Sequence, residues 1–238
     1  MTPDVVFLLD VDNTLLDNDR VIAELRQHLE AQFGPARSAH YWSIFETLRR
    51  ELGYADYLGA LQRYRDEVER DGAGDHRLLM MSGFLVDYPF AERLYPRAFE
   101  VIARCERIGP TVILTDGDVV FQPRKLQRSG LWEAVQGRVL ICVHKEQRLA
   151  AVERMFPARH YVMVDDKLRI LAAMKAVWQQ RLTTVFPRQG HYARDPAVLA
   201  GYPSADLAIE HIGELADIDL AALLEPRIGA ARANEESG

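Results

Sequence analysis

Residues Val5 to Asp17 read VVFLLDVDNTLLD. A short apolar run that ends in acid is the pattern of a buried parallel strand. Its C-terminal end carries Asp10 and Asp12, then the hydroxyl of Thr14. In an open α/β sheet, ligands bind just outside the C-terminal strand ends. Alternation along a strand puts Asp10 and Asp12 on one side of the chain. Like charges that close repel unless a cation or a shared proton relieves them. An acidic turn after an N-terminal strand would use the same residue types, so the rest of the chain has to separate the two readings.

Downstream of Asp17 the apolar period changes to that of a helix. Val21, Leu25, Leu29 and Phe33 recur every fourth residue, and Gly34-Pro35 stops the pattern. Further helices are expected from Ser38 to Leu52, from Tyr54 to Arg70, where Asp71-Gly72-Ala73-Gly74 ends the pattern, and from His76 to Asp87. No strand pattern lies between Asn18 and Tyr95. From Pro96 onward strands and helices alternate. Expected strands are Thr111–Thr115, Val139–Val143, Tyr161–Val164, Thr183–Phe186 and Ala205–Ile209. Helices are expected at Pro96–Arg107, Pro123–Ser129, Lys145–Phe156 and Leu168–Gln180. This alternation implies right-handed crossovers and a parallel sheet. The expected architecture is α/β: a Rossmann-like parallel core over 1–17 and 96–226, an all-helical insertion over 18–95, and a frayed tail over 227–238.

Composition narrows the function classes. Of 238 residues, 48% are hydrophobic and 27% charged, as in ordinary globular proteins. A formal net charge of −6 gives no support for a nucleic-acid partner. Cys105 and Cys142 have neither metal-ligand spacing nor the density of a disulfide framework. The first apolar run is too short for a signal peptide and ends in acids, and no apolar stretch is long enough to span a membrane. The expectation is a cytoplasmic protein.

Four strand ends present polar groups in order. The first gives Asp10 and Asp12, the second Thr115, the turn after the third Lys145, and the fourth Asp165 and Asp166. Each alone has a bland explanation: a solvated lysine at a helix start, or a β-forming threonine. Adjacent acids directly after YVMV are harder to dismiss, because burying them is costly without a cation or donors. Asp116 and Asp118 read as turn residues.

Together these residues resemble the motifs of the haloacid dehalogenase superfamily of aspartate-nucleophile hydrolases. DVDNT resembles its first motif, with Asn13 in place of the commoner glycine. Thr115 in LTDG resembles the second, Lys145 the third, and Asp165-Asp166 the acidic fourth. The 18–95 block lies where that family inserts a helical cap. The resemblance implies that Asp10 is a nucleophile forming an acyl phosphate. Asp12 would then protonate the leaving oxygen and deprotonate the attacking water. Thr115 and Lys145 would hold phosphoryl oxygens. Asp10, the Asp12 backbone carbonyl, Asp165 and Asp166 would bind Mg2+. Ile170 stands where many relatives carry a further acid, and Asp166 replaces it in this reading.

The expected activity is therefore Mg2+-dependent hydrolysis of a small phosphorylated metabolite. A phosphomutase resembles a phosphatase at these positions and stays open. A 2-haloacid dehalogenase would not need Asp12, because a halide leaves without a proton. A phosphonatase of this family uses a cap lysine, and 18–95 contains none. A silent binding protein on the same fold would be expected to have lost the nucleophile or the acid. Arg49-Arg50 suits either an anionic ligand or a solvated helix face.

Overall fold

The structure is a computed structural model that describes residues 2–70 and 77–225. The expected turn at 71–74, the start of the fourth helix at His76 and the tail from Arg227 lie outside the described residues. The chain runs β1 (Val5–Leu9), α1 (Asn18–Phe33), α2 (Pro35–Leu52), α3 (Tyr57–Arg70) and α4 (Arg77–Asp87), then α5 (Ala98–Glu106) and β2 (Thr111–Asp116). It continues with α6 (Phe121–Ser129), α7 (Leu131–Ala134), β3 (Val139–Cys142), α8 (Leu149–Met155), β4 (His160–Val164), α9 (Leu168–Trp178), β5 (Leu182–Pro187), α10 (Pro196–Ala200) and β6 (Leu207–Ile209).

The six strands form one sheet in the order β3-β2-β1-β4-β5-β6, and every pairing is parallel. This is the Rossmann-like α/β core expected from the alternation. Both faces are covered, so the strands are apolar on both sides. Val5, Phe7, Leu9, Ile113, Val162 and Val164 belong to one buried cluster; Val6, Leu8, Val112, Leu114, Tyr161 and Met163 belong to the other. The order reverses at β1, which lies between β2 and β4. Such a switch point opens a crevice at the C-terminal strand ends. Leu9 pairs with Val164, so the chain leaves the sheet at Asp10 and Asp165 side by side.

Helices α1 to α4 are inserted between β1 and β2, and none of the six strands comes from 18–95. The insertion is tied at its base. Asp17 N–H donates to the Arg93 carbonyl at 2.8 Å, and Tyr95 N–H donates to the Leu15 carbonyl at 2.9 Å. Asp17 caps α1 by accepting from Arg20 N–H at 3.0 Å. Asn13 takes a left-handed φ of 61°, a conformation that favours glycine and tolerates asparagine. This explains why Asn13 can stand where glycine is commoner. Its side chain also accepts from Asp19 N–H and donates to the Asp19 carboxylate, which ties the strand end to α1.

Some boundaries differ from the sequence reading. Helix α2 starts at Pro35 rather than Ser38, because proline suits the first helical turn. Helix α3 starts at Tyr57 rather than Tyr54, after Asp56, whose carboxylate accepts from Gly59 N–H. The single helix expected over Lys145–Phe156 is divided into a 3-10 turn at Lys145–Gln147 and α8. His144 has a positive φ of 59°, and Lys145 N–H donates to the Asp116 carboxylate. That bond turns Lys145 inward and takes it out of the helical ladder. No helix among the described residues is long and apolar enough to cross a membrane.

The far edge of the sheet is pinned by one carboxylate. Asp206 accepts from Lys175 Nζ, Thr184 N–H and the Thr184 hydroxyl at 2.8–2.9 Å. Partial burial works against its charge, but the Lys175 and Thr184 hydrogen bonds prevail and hold its pKa down at about 2. A depressed folded-state pKa contributes stability above the ordinary carboxylate value near 4, and that contribution disappears as pH falls toward 2. Asp206→Asn should lower Tm at pH 6–7, and the gap to the parent should close by about pH 2. Thermal melts across pH test this; a gap that is constant with pH would contradict it.

Candidate active site

The strand ends bring Asp10, Lys145, Asp165 and Asp166 together. Asp10 follows β1, Asp165 follows β4, and Lys145 enters from the turn after β3. Lys145 Nζ lies 2.5 Å from Asp10 Oδ1, 2.6 Å from Asp165 Oδ2 and 3.2 Å from the Leu114 carbonyl. All four side chains are buried: Asp10 is 3% exposed, Lys145 and Asp166 1%, and Asp165 0%. Burial works against the charge of Lys145, but Asp10, Asp165 and Asp116 hold its ammonium well above the usual lysine range. Burial also pushes Asp165 up to about 6 against the pull of Lys145, and raises Asp166 further.

Asp10, Asp165 and Asp166 each offer an oxygen within 4.8 Å of the others. Among the described residues, neither carboxylate oxygen of Asp166 has a hydrogen-bond partner. Buried oxygens left in this way are costly unless a ligand satisfies them. An all-oxygen set suits a hard divalent cation. Thr14 bridges the two sides, donating to Asp10 at 3.4 Å and accepting from Asp166 N–H at 3.0 Å.

Asp12 occupies a separate position. Its carboxylate lies 2.6 Å from Lys125 Nζ, which also donates to Asn18 Oδ1 at 3.1 Å. Alternation, which would have put Asp10 and Asp12 on one side, does not apply, because β1 ends at Leu9. Thr115 ends its buried run one residue before the last residue of β2, and its hydroxyl accepts from Gln122 Nε2 at 3.0 Å.

Several residues here escaped the sequence reading. Lys125 and Gln122 are buried on α6; polar side chains one turn apart on the apolar face of a helix were the available signal. Lys167 is also held above its ordinary range: burial opposes its charge, and Asp166, Asp10 and Asp165 outweigh it. Asp116, read as a turn residue, orients Lys145 through its backbone. Asp118 is the turn residue it was expected to be, accepting from Val120 and Phe121 N–H at the start of α6.

Above this buried group lies a cavity of about 330 Å3, within the range of small-molecule sites. Asp12, Asn13, Asp116 and Lys167 form one end of it, and α1 and α2 line its wall. Arg49 faces the cavity, whereas Arg50 is exposed and bonds back to its own helix at Glu46 and Thr47. Of the pair, only Arg49 lines the cavity.

Removing one partner of a buried ion pair leaves an uncompensated charge. Lys145→Met should therefore destabilise the metal-free protein by about 3–5 kcal/mol. Urea unfolding in a chelator measures this; a loss under about 1 kcal/mol would mean that Lys167 already balances the carboxylates.

Residues 5–177 match the family model described as a haloacid dehalogenase-like hydrolase. Among solved structures, a haloacid dehalogenase-like hydrolase from Burkholderia xenovorans LB400 is 63% identical with a TM-score of 0.87, covering 93% of this chain and 99% of its own. A HAD-hydrolase from Bacillus subtilis, solved bound to magnesium, is 19% identical with a TM-score of 0.60, covering 90% and 97%. An L-2-haloacid dehalogenase from Xanthobacter autotrophicus is 18% identical with a TM-score of 0.54, covering 91% and 98%. The last two share the fold with this chain. No curated protein matches it in sequence. With most of its length inside the family model and a relative at 63% identity, the chain belongs to the haloacid dehalogenase-like hydrolases.

Proposed function

We propose that this hydrolase is a Mg2+-dependent phosphatase that cleaves a small phosphomonoester through an aspartyl phosphate on Asp10. The observation that carries the reading is the buried trio of Asp10, Asp165 and Asp166, with both Asp166 oxygens unpartnered. Asp10, Asp165, Asp166 and the Asp12 carbonyl would hold the ion. When bound, Mg2+ supplies positive charge between the nucleophile and the phosphoryl oxygens.

The positions of the side chains support the remaining roles. Asp10 attacks phosphorus, and the ester oxygen departs. Lys145 already balances the Asp10 carboxylate and stabilises charge on the phosphoryl oxygens as that carboxylate is consumed. The Thr115 hydroxyl, fixed by Gln122, donates to a phosphoryl oxygen. Asp12 gives a proton to the leaving oxygen and then takes one from the attacking water. For this it must exchange Lys125 for the substrate oxygen. Residues 18–95 act as a cap over the site, hinged near Asp17 and Tyr95. Asp12 favours an oxygen leaving group over a halide, which needs no proton. A phosphomutase would share every one of these positions, and transfer to a sugar phosphate in place of water would identify it.

Metal dependence is the first test. EDTA should abolish aryl phosphatase activity and Mg2+ should restore it; full activity in EDTA would sink the proposal.

Asp10 and Asp12 are separated by a single-turnover test. Asp10→Asn should give no phosphoenzyme. Asp12→Asn should retain a burst of phenol with nitrophenyl phosphate, because that leaving group needs little protonation. With an alkyl phosphate it should lose about 10²–10⁴ in rate. A burst from Asp10→Asn would point to another nucleophile. Equal losses of Asp12→Asn on both esters would remove its acid–base role.

A further inference from the structure

The cavity has a direction, and its far end carries charge. Helix α1 lines it with Asn18, Ile22 and Arg26, spaced four residues apart on one face. Asn18 marks the catalytic end, since it shares Lys125 with Asp12. Eight residues of helix place the Cα of Arg26 about 12 Å further along the wall. Helix α2 runs the other way. Gly53 sits at the catalytic end, close enough to His144 that a Cβ would meet its ring at 2.5 Å. Trp42 lies at the opposite end of the same α2 stripe.

Arg26 and Trp42 meet there. The guanidinium carbon lies 4.1 Å from the centroid of the Trp42 ring, a cation–π contact. Arg26 is exposed; stacking fixes the plane of its guanidinium, and among the described residues no hydrogen bond takes up its N–H donors. Among the described residues, no carboxylate pairs with Arg26. Between the two ends Ile22 and Phe45 supply apolar surface, and Glu46 and Arg49 line the same stretch of α2. Of the other two guanidiniums lining the cavity, Arg49 is held by the Tyr192 hydroxyl and lies 3.9 Å from Glu46, and Arg169 pairs with Glu146 at 2.6 Å.

We infer that Arg26, stacked on Trp42, is a distal anion site, and that the substrate is an extended phosphomonoester with an apolar or aromatic body ending in a carboxylate. The inference rests on the phosphatase reading and deepens it. A planar guanidinium matches a carboxylate through two parallel hydrogen bonds. The length of the wall excludes a carboxylate one carbon from the phosphate oxygen, which would sit under the catalytic end.

The test uses matched esters with Mg2+: 3-(4-phosphonooxyphenyl)propanoate, its neutral carboxamide, and the short 2-phosphoglycolate. The parent enzyme should prefer the propanoate over its amide by about tenfold or more in kcat/KM, with the difference mainly in KM. Phosphoglycolate should show no comparable advantage. Arg26→Gln should bring the acid-to-amide ratio close to one, and Arg26→Lys should keep part of it. A purely structural role for Arg26 would lower both esters together and leave the ratio intact, which would overturn the assignment. Hydrolysis of both esters by the parent at equal efficiency would overturn the distal site while leaving the phosphatase reading standing. Hydrolysis of neither would remove the phosphatase reading and this inference with it.

Discussion

The site depends on one ammonium group. Lys145 Nζ sits within 2.6 Å of two buried carboxylates that leave adjacent strands. Without a cation at that point, Asp10 and Asp165 would repel each other in a poorly solvated space. The surroundings are built to hold the lysine there. Its backbone is pinned by Asp116, its helix starts late, and the Leu114 carbonyl takes a further hydrogen bond. One lysine does not balance three carboxylates, and Lys167 supplies only part of the rest. The unmatched Asp166 oxygens are what remains. In the proposed function these oxygens are the ones a divalent cation would take as ligands.

Much of this was legible in the sequence because it depends on local order. Apolar runs that end in Asp10 and in Asp165 report strand ends directly, and their order along the chain gives the parallel sheet. The helical period of Val21, Leu25 and Leu29 likewise survives translation into structure, since all three are buried. What stayed hidden depends on packing between distant segments. Lys125 meets Asp12 only because α6 folds against the base of the insertion. Which of Arg49 and Arg50 faces the cavity depends on a helix rotation of about 100° per residue, finer than an apolar period resolves in a helix with so many charged residues. Lys145 was read at a helix start, but the bond to Asp116 that sets its direction required β2 and β3 to be placed.

The cavity wall shows how two helices can grade chemistry along a single axis. Proton-transfer candidates and backbone-fixing contacts gather at one end, Ile22 and Phe45 lie in the middle beside Glu46 and Arg49, and a guanidinium stacked on Trp42 stands at the other. Helix α1 contributes one residue per turn, at four-residue spacing, and α2 contributes a stripe of Trp42, Phe45, Glu46, Arg49 and Gly53.

The paired base of the insertion has a consequence for how such a chain varies. Leu15–Asp17 and Arg93–Tyr95 lie side by side and hydrogen-bonded, so the core sees the whole helical block as a closed loop with fixed ends. Closing a longer loop costs only about 0.6 kcal/mol per doubling of its length. Helices can therefore be lengthened, shortened or exchanged above that base at little cost to the sheet beneath. Ligand preference can then drift with the insertion while the reacting groups stay where the strands put them.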